Sequence, residues 1–200
     1  KEKFLDDIRY LMDNCEFVFM RQREMLGLGH AILTGEPMIG NEPFAVILAD
    51  DLCAKPSEGG ERALSQLVAL YERYQCSIVA IEEVPVDETH SYGVISGDEI
   101  APGIYQIKDM VEKPKPDEAP SNLAIIGRYI LTPEIFEYLR KTKPGTNGEV
   151  QITDALRLLA QDRLVLAVKF KGQRFDCGSV EGFVEATNYY YEHEHLNKSA

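Results

Sequence analysis

Two adjacent aspartates, Asp50 and Asp51, are the residues whose type and position most directly suggest chemistry. They follow an unbroken apolar run over residues 44–49. A run of this kind, rich in branched residues, predicts a central parallel strand that is covered on both faces. Ligands of open α/β sheets collect at the carboxyl ends of such strands. An acidic pair at that position can hold Mg²⁺ against a phosphate.

The same pair also has an ordinary structural interpretation. Asp is common in the solvated turns that follow buried strands, and the stretch is short. Taken alone, it therefore favours a turn over a metal site. A second acidic turn, residues 175–178, contains Asp176 just before the last predicted helix. The ordinary role of an aspartate there is helix capping.

The composition is that of an ordinary globular protein. The chain has 200 residues, of which 44% are hydrophobic, and its net charge is −12. That charge disfavours a nucleic-acid partner, and phosphorylated ligands would need locally placed cations. No apolar run approaches the roughly 20 residues that span a bilayer, so no membrane partner is expected. The cysteines form no Cys-x-x-Cys pair, which argues against zinc and predicts reduced thiols in a cytoplasmic protein.

Helical and strand patterns alternate along the chain. Apolar spacing predicts helices over residues 4–12, 63–74 and 152–161, and after residue 178. Strands are predicted over residues 17–20, 44–49, 77–81, 92–95, 104–111, 124–131 and 164–170. Residues 44–81 read as a βαβ unit. The whole predicts a single α/β domain over residues 1–200 with a mixed sheet, in which a small β-rich region, about residues 85–131, carries a pocket.

Six segments of the chain resemble the bacterial UTP–glucose-1-phosphate uridylyltransferases, also called UDP-glucose pyrophosphorylases. They are RQREMLGLGHAI, FAVILADD, SYGVI, MVEKPKPDEAPSNLAIIGRYIL, GEVQITDAL and FDCGSVEGF. They keep the family's order and cover most of residues 16–186. The resemblance implies a Rossmann-like, glycosyltransferase-A-like mixed sheet flanked by helices, with residues 85–131 as a sugar-binding addition. Relatives that use dTTP with glucose 1-phosphate share much of this frame, so a thymidylyltransferase is the alternative.

The reaction that the resemblance implies is nucleotidyl transfer. Glucose 1-phosphate attacks the α-phosphorus of UTP, and the products are UDP-glucose and pyrophosphate. Because the attacking phosphate is already ionised, the reaction needs alignment and charge neutralisation more than a strong base. Asp50 and Asp176 match the family's metal-binding aspartates and would share Mg²⁺. Lys113 would bind a phosphate, whereas Asp51 receives no role and is expected in a solvated turn.

The resemblance also assigns residues to the sugar and the base. Glu112 would accept hydrogen bonds from sugar hydroxyls, Gly93 would let its backbone approach the sugar, and Asn122 would line the same side. Gln22 carries both a donor and an acceptor for the edge of uracil, with Gly27 close by. Without the flanking match, Glu112 and Lys113 would be interpreted as an exposed ion pair of little value.

The family's glycine-rich G-x-G-T-R nucleotide loop does not occur in these 200 residues. The sequence therefore predicts an N-terminally truncated domain that lacks the first strand and the phosphate cradle, and that is not a competent catalyst alone. A non-catalytic relative that binds a nucleotide sugar is a further alternative, although the presence of Asp50, Lys113 and Asp176 argues against a decayed site. The tyrosines at residues 189–191 suggest a homo-oligomer interface on the last helix.

Overall fold

The computed structural model describes residues 2–56, 59–145 and 148–196. The helices within these ranges are α1 (Glu2–Asn14), α2 (Gly27–Thr34), α3 (Glu36–Ile39), α4 (Ala63–Tyr74), α5 (Ile135–Lys141), α6 (Ile152–Asp162) and α7 (Val180–Tyr190). The strands are β1 (Phe44–Ile47), β2 (Asp51–Ala54), β3 (Ser77–Glu83), β4 (Gly93–Ala101), β5 (Ile104–Glu112), β6 (Leu123–Leu131), β7 (Val165–Lys169) and β8 (Gln173–Asp176). A 3₁₀ turn covers Val86–Ser91, and a π-helical turn, Tyr191–Leu196, follows α7.

Six of the strands form one mixed sheet in the order β1-β6-β3-β7-β5-β4. Only β3 and β7 are parallel neighbours; the other pairs are antiparallel. The predicted mixed α/β fold is thus confirmed. Because β1 and β3 lie on either side of β6 and both oppose it, they run in the same direction. The predicted βαβ unit therefore exists, but its crossover through α4 skips one strand.

Within the described part of the chain, the strand before the two aspartates is an edge strand and not the central parallel strand that the sequence predicted. Among the described residues, β1 pairs only with β6, and antiparallel. Its side chains alternate between half-buried and exposed positions, and Ile47 is 54% exposed. An antiparallel strand with one covered face needs apolar residues at every second position only. Because residues 44–49 are all apolar, the sequence does not show whether one face of the strand or both are covered.

The strands predicted for residues 85–131 are confirmed, but they belong to the main sheet. The hairpin of β4 and β5 forms the edge opposite to β1, whereas β6 lies between β1 and β3 and is buried along almost its whole length. The smaller sheet is instead the antiparallel ribbon of β2 and β8. A sugar-binding role for residues 85–131 stays a prediction.

The sheet has an apolar core on each face. Successive residues of β3 point to opposite sides, as in any strand: Val79 and Ile81 pack with helices α5 and α6, whereas Ile78 and Ala80 pack with α4. All four side chains are 0% exposed. Packing on both faces holds the central strands in place, and the loops of the candidate site extend from these strands.

The region before α2 departs from the prediction. Helix α1 is confirmed, but the strand predicted over residues 17–20 is wrong: these residues have no regular structure, and Phe19 is 91% exposed. A strand needs a partner for its backbone groups, and no described strand pairs with this segment. Across the described ranges, no helix is both long and apolar enough to cross a membrane.

Two of the three tyrosines at residues 189–191 pack inward, whereas Tyr191 lies in the π-helical turn and is 57% exposed. The ring centroids of Tyr189 and Tyr190 lie 5.0 and 6.4 Å from that of Phe175. The large apolar side chains that α7 exposes are Val180, Phe183 and Val184. Tyr189 and Tyr190 therefore stabilise the β2–β8 ribbon within the chain. A homo-oligomer interface on the last helix stays a prediction.

Candidate active site

The β2–β8 ribbon brings Asp50 and Asp176 together. Asp51, the first residue of β2, lies opposite Asp176, the last residue of β8. The backbone N–H of Cys177 donates to the carbonyl oxygen of Asp50 at 2.7 Å. A Cβ atom at Gly178 would lie 3.0 Å from Asp176 Oδ1 and 3.6 Å from Asp50 Oδ2. Two carboxylates that are distant in the sequence thus face one space beside Gly178.

The donor set at this position suits Mg²⁺. Carboxylate oxygens are hard ligands, and Mg²⁺ is usually held by one or two carboxylates, with water and phosphate oxygens in its other positions. No cluster of three or more potential metal-binding side chains occurs in the described part of the chain. The Asp50 and Asp176 pair would therefore need phosphate oxygens to complete the coordination. Its role in metal binding stays a prediction.

Asp51 is not the solvated turn residue that the sequence predicted. It is 6% exposed. Its Oδ2 accepts the backbone N–H of Gly127 at 2.5 Å, and its Oδ1 accepts Nε–H of Arg174 at 2.5 Å. Asp51 is thus buried at the start of β2, whereas Asp50, in the turn before it, remains exposed.

Arg174 joins these carboxylates into one network, and sequence reasoning missed it. Its side chain is 8% exposed and pairs with Asp51, with Glu82 at 2.7 Å and with Asp176 at 3.1 Å. Its guanidinium also lies 5.1 Å from the ring centre of Tyr92. A guanidinium presents several donors in a fixed plane and so can serve several carboxylates at once. The two-residue spacing of Arg174 and Asp176 along one strand was the available signal.

Burial and the contacts of Arg174 determine the protonation of the groups in this network. Burial raises the pKa of Glu82, and the charge and hydrogen bond of Arg174 act against that rise. Burial disfavours the charged form of Arg174 itself, but the hydrogen bond with Tyr92 and the charges of Asp51 and Glu82 raise its pKa above the ordinary value. Arg174 is thus a permanent cation beneath Asp176.

Lys113 follows β5 in an unusual backbone conformation. Its φ is +47°, in the left-handed region, and its N–H donates to the carbonyl oxygen of Tyr92 at 2.9 Å. A residue before proline normally prefers an extended conformation, so this one is strained. The side chain is exposed and forms no ion pair with any described residue. The interpretation of Glu112 and Lys113 as a surface ion pair is therefore wrong.

Glu112 and Gly93, to which the sequence assigns sugar-binding roles, lie next to each other. They are opposite each other in the β4–β5 ladder. Glu112 Oε2 accepts the hydroxyl of Thr153 at 2.6 Å, and Oε1 has no hydrogen-bond partner among the described residues. A Cβ atom at Gly93 would lie 3.1 Å from Glu112 Oε2. Asn122 precedes β6, where its carbonyl oxygen accepts the N–H of Val84; no described contact joins its side chain to Glu112.

Gln22 and Gly27 are also in contact. Gln22 Nε2 donates to the carbonyl oxygen of Gly27 at 3.1 Å and lies 2.9 Å from Nδ1 of His30. Gly27 has a φ of +86°, and a Cβ atom there would lie 2.8 Å from Cβ of Glu149, so only glycine fits. The amide nitrogen of Gln22 is engaged within the chain, which leaves Oε1 as its free acceptor. No described contact links this pair to the aspartates.

Comparison with known proteins places these features in one family. The sequence matches the family described as Nucleotidyl transferase over residues 2–193. A UTP–glucose-1-phosphate uridylyltransferase of Pseudomonas aeruginosa is 63% identical over 192 residues, which are 96% of this chain and 68% of that protein. The enzyme of the same name from Staphylococcus haemolyticus is 46% identical over 187 residues, 94% of this chain and 64% of that protein.

Solved structures agree with the sequence comparison. UDP-glucose pyrophosphorylase complexed with UDP-glucose superposes with a TM-score of 0.92 at 59% identity, over 96% of this chain and 73% of that one. UTP-bound UGPase from Acinetobacter baumannii superposes with a TM-score of 0.80 at 32% identity, over 99% and 70%. A putative glucose-1-phosphate thymidylyltransferase from Bacillus anthracis, at 22% identity and a TM-score of 0.72, is similar in fold alone.

Proposed function

The chain belongs to the UTP–glucose-1-phosphate uridylyltransferases of the nucleotidyl transferase family, and we propose that it forms UDP-glucose and pyrophosphate from UTP and glucose 1-phosphate. The observation that supports this most directly is the meeting of Asp50 and Asp176 beside Gly178. On the sugar side, Glu112 presents a free carboxylate oxygen next to Gly93. The reaction is assigned to the cytoplasm, because the cysteines are free thiols.

Each side chain has a task that its surroundings permit. Asp50 and Asp176 would hold Mg²⁺, which supplies positive charge for the phosphates. Asp176 is fixed for this task because Gly178 N–H and Arg174 each hold one of its oxygens. The exposed amine of Lys113, which pairs with no described residue, binds a phosphate whose charge changes during transfer. These groups align two anions and reduce their mutual repulsion, which is what an in-line displacement requires.

The base is assigned to Gln22 and the sugar to Glu112. Oε1 of Gln22 can accept the ring N–H of uracil, while Gly27 keeps the loop free of a side chain. Thymine presents the same N–H, so Gln22 cannot distinguish the two bases. Discrimination rests on the space for one methyl group, which is worth about 1–3 kcal/mol. UTP is proposed as the preferred substrate because the relatives that are 63% and 46% identical are named UTP–glucose-1-phosphate uridylyltransferases, and dTTP is the second candidate.

The decisive measurement is pyrophosphate release from UTP or dTTP with glucose 1-phosphate and Mg²⁺. It should be made with residues 1–200 alone and with the same residues joined to a G-x-G-T-R loop and its strand. We expect residues 1–200 alone not to turn over at an ordinary enzyme rate. With the joined polypeptide we expect turnover, a preference for UTP, and a loss of at least about 100-fold in Asp50→Asn and Asp176→Asn. The exposed Glu185→Gln is the matched control.

Each contrary outcome identifies a different error. A preference for dTTP would reassign the chain as a thymidylyltransferase. If the joined polypeptide binds UDP-glucose without turnover, the chain is a non-catalytic nucleotide-sugar-binding relative. Full activity of Asp50→Asn and Asp176→Asn together would remove the aspartates from the site.

A further inference from the structure

Thr153 is a buried polar residue to which neither the sequence nor the proposed reaction assigns a role. It lies in the first turn of α6 and is 3% exposed. Its hydroxyl donates to Oε2 of Glu112 at 2.6 Å, a short hydrogen bond of the kind formed with a charged acceptor. A buried hydroxyl is unfavourable unless it is hydrogen-bonded. The hydroxyl of Thr153 is hydrogen-bonded to the carboxylate of Glu112, the proposed sugar-binding group.

Three other threonines of the chain bond to the backbone instead, whereas the hydroxyl of Thr132 lies 3.1 Å from that of Ser77. The hydroxyls of Thr34, Thr142 and Thr187 each donate to a backbone carbonyl oxygen four residues earlier, at 2.8 Å. This is the usual arrangement for threonine in or at the end of a helix. Thr153 donates instead to a side chain on another element, 41 positions away in the sequence. The bond therefore links the start of α6 to the end of β5.

The geometry around Gly93 shows how tightly the pair is held. A Cβ atom at Gly93 would lie 2.8 Å from Thr153 Oγ1 and 3.1 Å from Glu112 Oε2. The two side chains thus meet directly against the backbone of Gly93. With Oε2 engaged by Thr153, the carboxylate has one rotational position, and Oε1 is the oxygen that remains for a ligand.

We propose that Thr153 is a positioning residue that orients the Glu112 carboxylate toward the sugar hydroxyls of glucose 1-phosphate and UDP-glucose. This inference rests on the proposed function, because it takes Glu112 as the sugar-binding group. Thr153 does not touch the substrate. Its effect appears in the affinity for the glucosyl part of the ligand and not in the affinity for the nucleotide.

The test compares Thr153→Val, which keeps the shape and removes the hydroxyl, with Thr153→Ser, which keeps the hydroxyl. Affinities for UDP-glucose and for UDP are measured by calorimetry, in the presence of Mg²⁺, with residues 1–200 joined to the G-x-G-T-R loop and its strand, and thermal melting monitors folding. We expect Thr153→Val to weaken UDP-glucose binding about tenfold and UDP binding less than twofold. Thr153→Ser should restore UDP-glucose affinity. Thr142→Val removes a buried hydroxyl that bonds to backbone, and should lower stability without changing either affinity.

A double-mutant cycle separates positioning from a merely structural role. In a Glu112→Ala background, Thr153→Val should have almost no further effect on UDP-glucose affinity. Equal losses for UDP and UDP-glucose, or an undiminished effect of Thr153→Val without Glu112, would overturn the inference. An unaltered protein that binds UDP but gains nothing from the glucosyl group would contradict the proposed function itself, as would one that binds neither ligand.

Discussion

At the scale of single residues, Lys113 should separate catalysis from stability. Its side chain is exposed, so we expect Lys113→Ala to change the free energy of unfolding by less than about 0.5 kcal/mol. The loss of a phosphate-binding cation should lower turnover by about 100-fold or more. The measurement is steady-state kinetics beside a thermal melt, made with the polypeptide that carries the glycine-rich loop.

Lys115 provides the control for this prediction. It is an exposed lysine two residues away, and it pairs with Glu118 at 3.2 Å. Lys115→Ala removes the same charge from the same loop and should leave turnover within about twofold, because exposed ion pairs contribute little. Equal effects of the two substitutions would show that Lys113 acts only through the general field of the loop.

Cys76 should make the stability of the fold depend on pH in the alkaline range. Burial raises its pKa from 9.0 to about 11, although a hydrogen bond with the backbone of Leu166 acts the other way. The folded state thus favours the neutral thiol. The contribution is complete below the unfolded pKa of 9.0 and is lost progressively as the pH rises toward 11.

We therefore expect the free energy of unfolding to fall by about 1 kcal/mol between pH 8 and pH 10 because of this thiol alone. Urea unfolding at the two pH values measures the fall, and Cys76→Ala should abolish this part of it. Cys15 is exposed, so Cys15→Ala should retain it. If the free energy of unfolding depends on pH identically in the unaltered protein, Cys76→Ala and Cys15→Ala, the pKa of Cys76 does not change on unfolding.

The sequence indicated which two aspartates lie close together, but it did not indicate the residues that act through other side chains. The resemblance paired Asp50 with Asp176, and the fold places them side by side. Arg174 and Thr153 were missed because their partners are 123 and 41 positions away. No local sequence pattern around a single arginine or threonine indicates a contact with so distant a residue.

At the scale of elements, the close approach of β6 to the turn before β2 depends on the absence of a side chain at Gly127. A Cβ atom at Gly127 would lie 2.6 Å from both Asp51 Oδ2 and Leu48 Cβ. We expect Gly127→Ala to destabilise the fold by about 1–3 kcal/mol, because the strand and the turn must separate. Gly127 N–H would then lose its bond to Asp51.

Urea unfolding of Gly127→Ala, with Gly145→Ala as the control, tests this contact. The nearest neighbour of a Cβ atom at Gly145 would be 3.8 Å away, an ordinary contact distance, so this variant should differ little from the unaltered protein. Equal stability of the two variants would show that the turn before β2 adjusts at little energetic cost.

The sequence predicted the strands whose apolar pattern follows from burial on both faces. It could not predict whether an apolar segment finds a partner strand. The runs in β3, β6 and β7 are apolar because both faces of these strands are covered, and all three were predicted. Residues 17–20 have an equally apolar sequence but no partner strand, and they remain irregular. Strand propensity is realised only when a neighbour accepts the backbone hydrogen bonds. The order of the strands, in which β6 enters between β1 and β3, has no signal in the local sequence.

At the scale of the whole molecule, net charge and exposed apolar surface have opposite effects on association between copies of the chain. The net charge of −12 makes copies of the chain repel one another. Against this, the outer edge of β1 is unpaired among the described strands, and Ile47 on it is 54% exposed. The exposed residue Phe19 lies in an irregular segment of strand-forming sequence. Unpaired edges and such segments favour strand-to-strand association between chains.

The balance between these two effects should respond to salt. Raising the ionic strength from about 0.01 to 1 M shortens the screening length from roughly 30 to 3 Å, so the repulsion weakens while the apolar edge is unchanged. We expect sedimentation velocity to show self-association that increases with salt. Ile47→Lys places a charge on the edge and should suppress this association. Val68→Lys adds the same charge on the helix α4 instead of on a strand edge, and should not suppress it. A chain that sediments as a monomer at every salt concentration, or equal suppression by both substitutions, would show that the edge of β1 does not drive association.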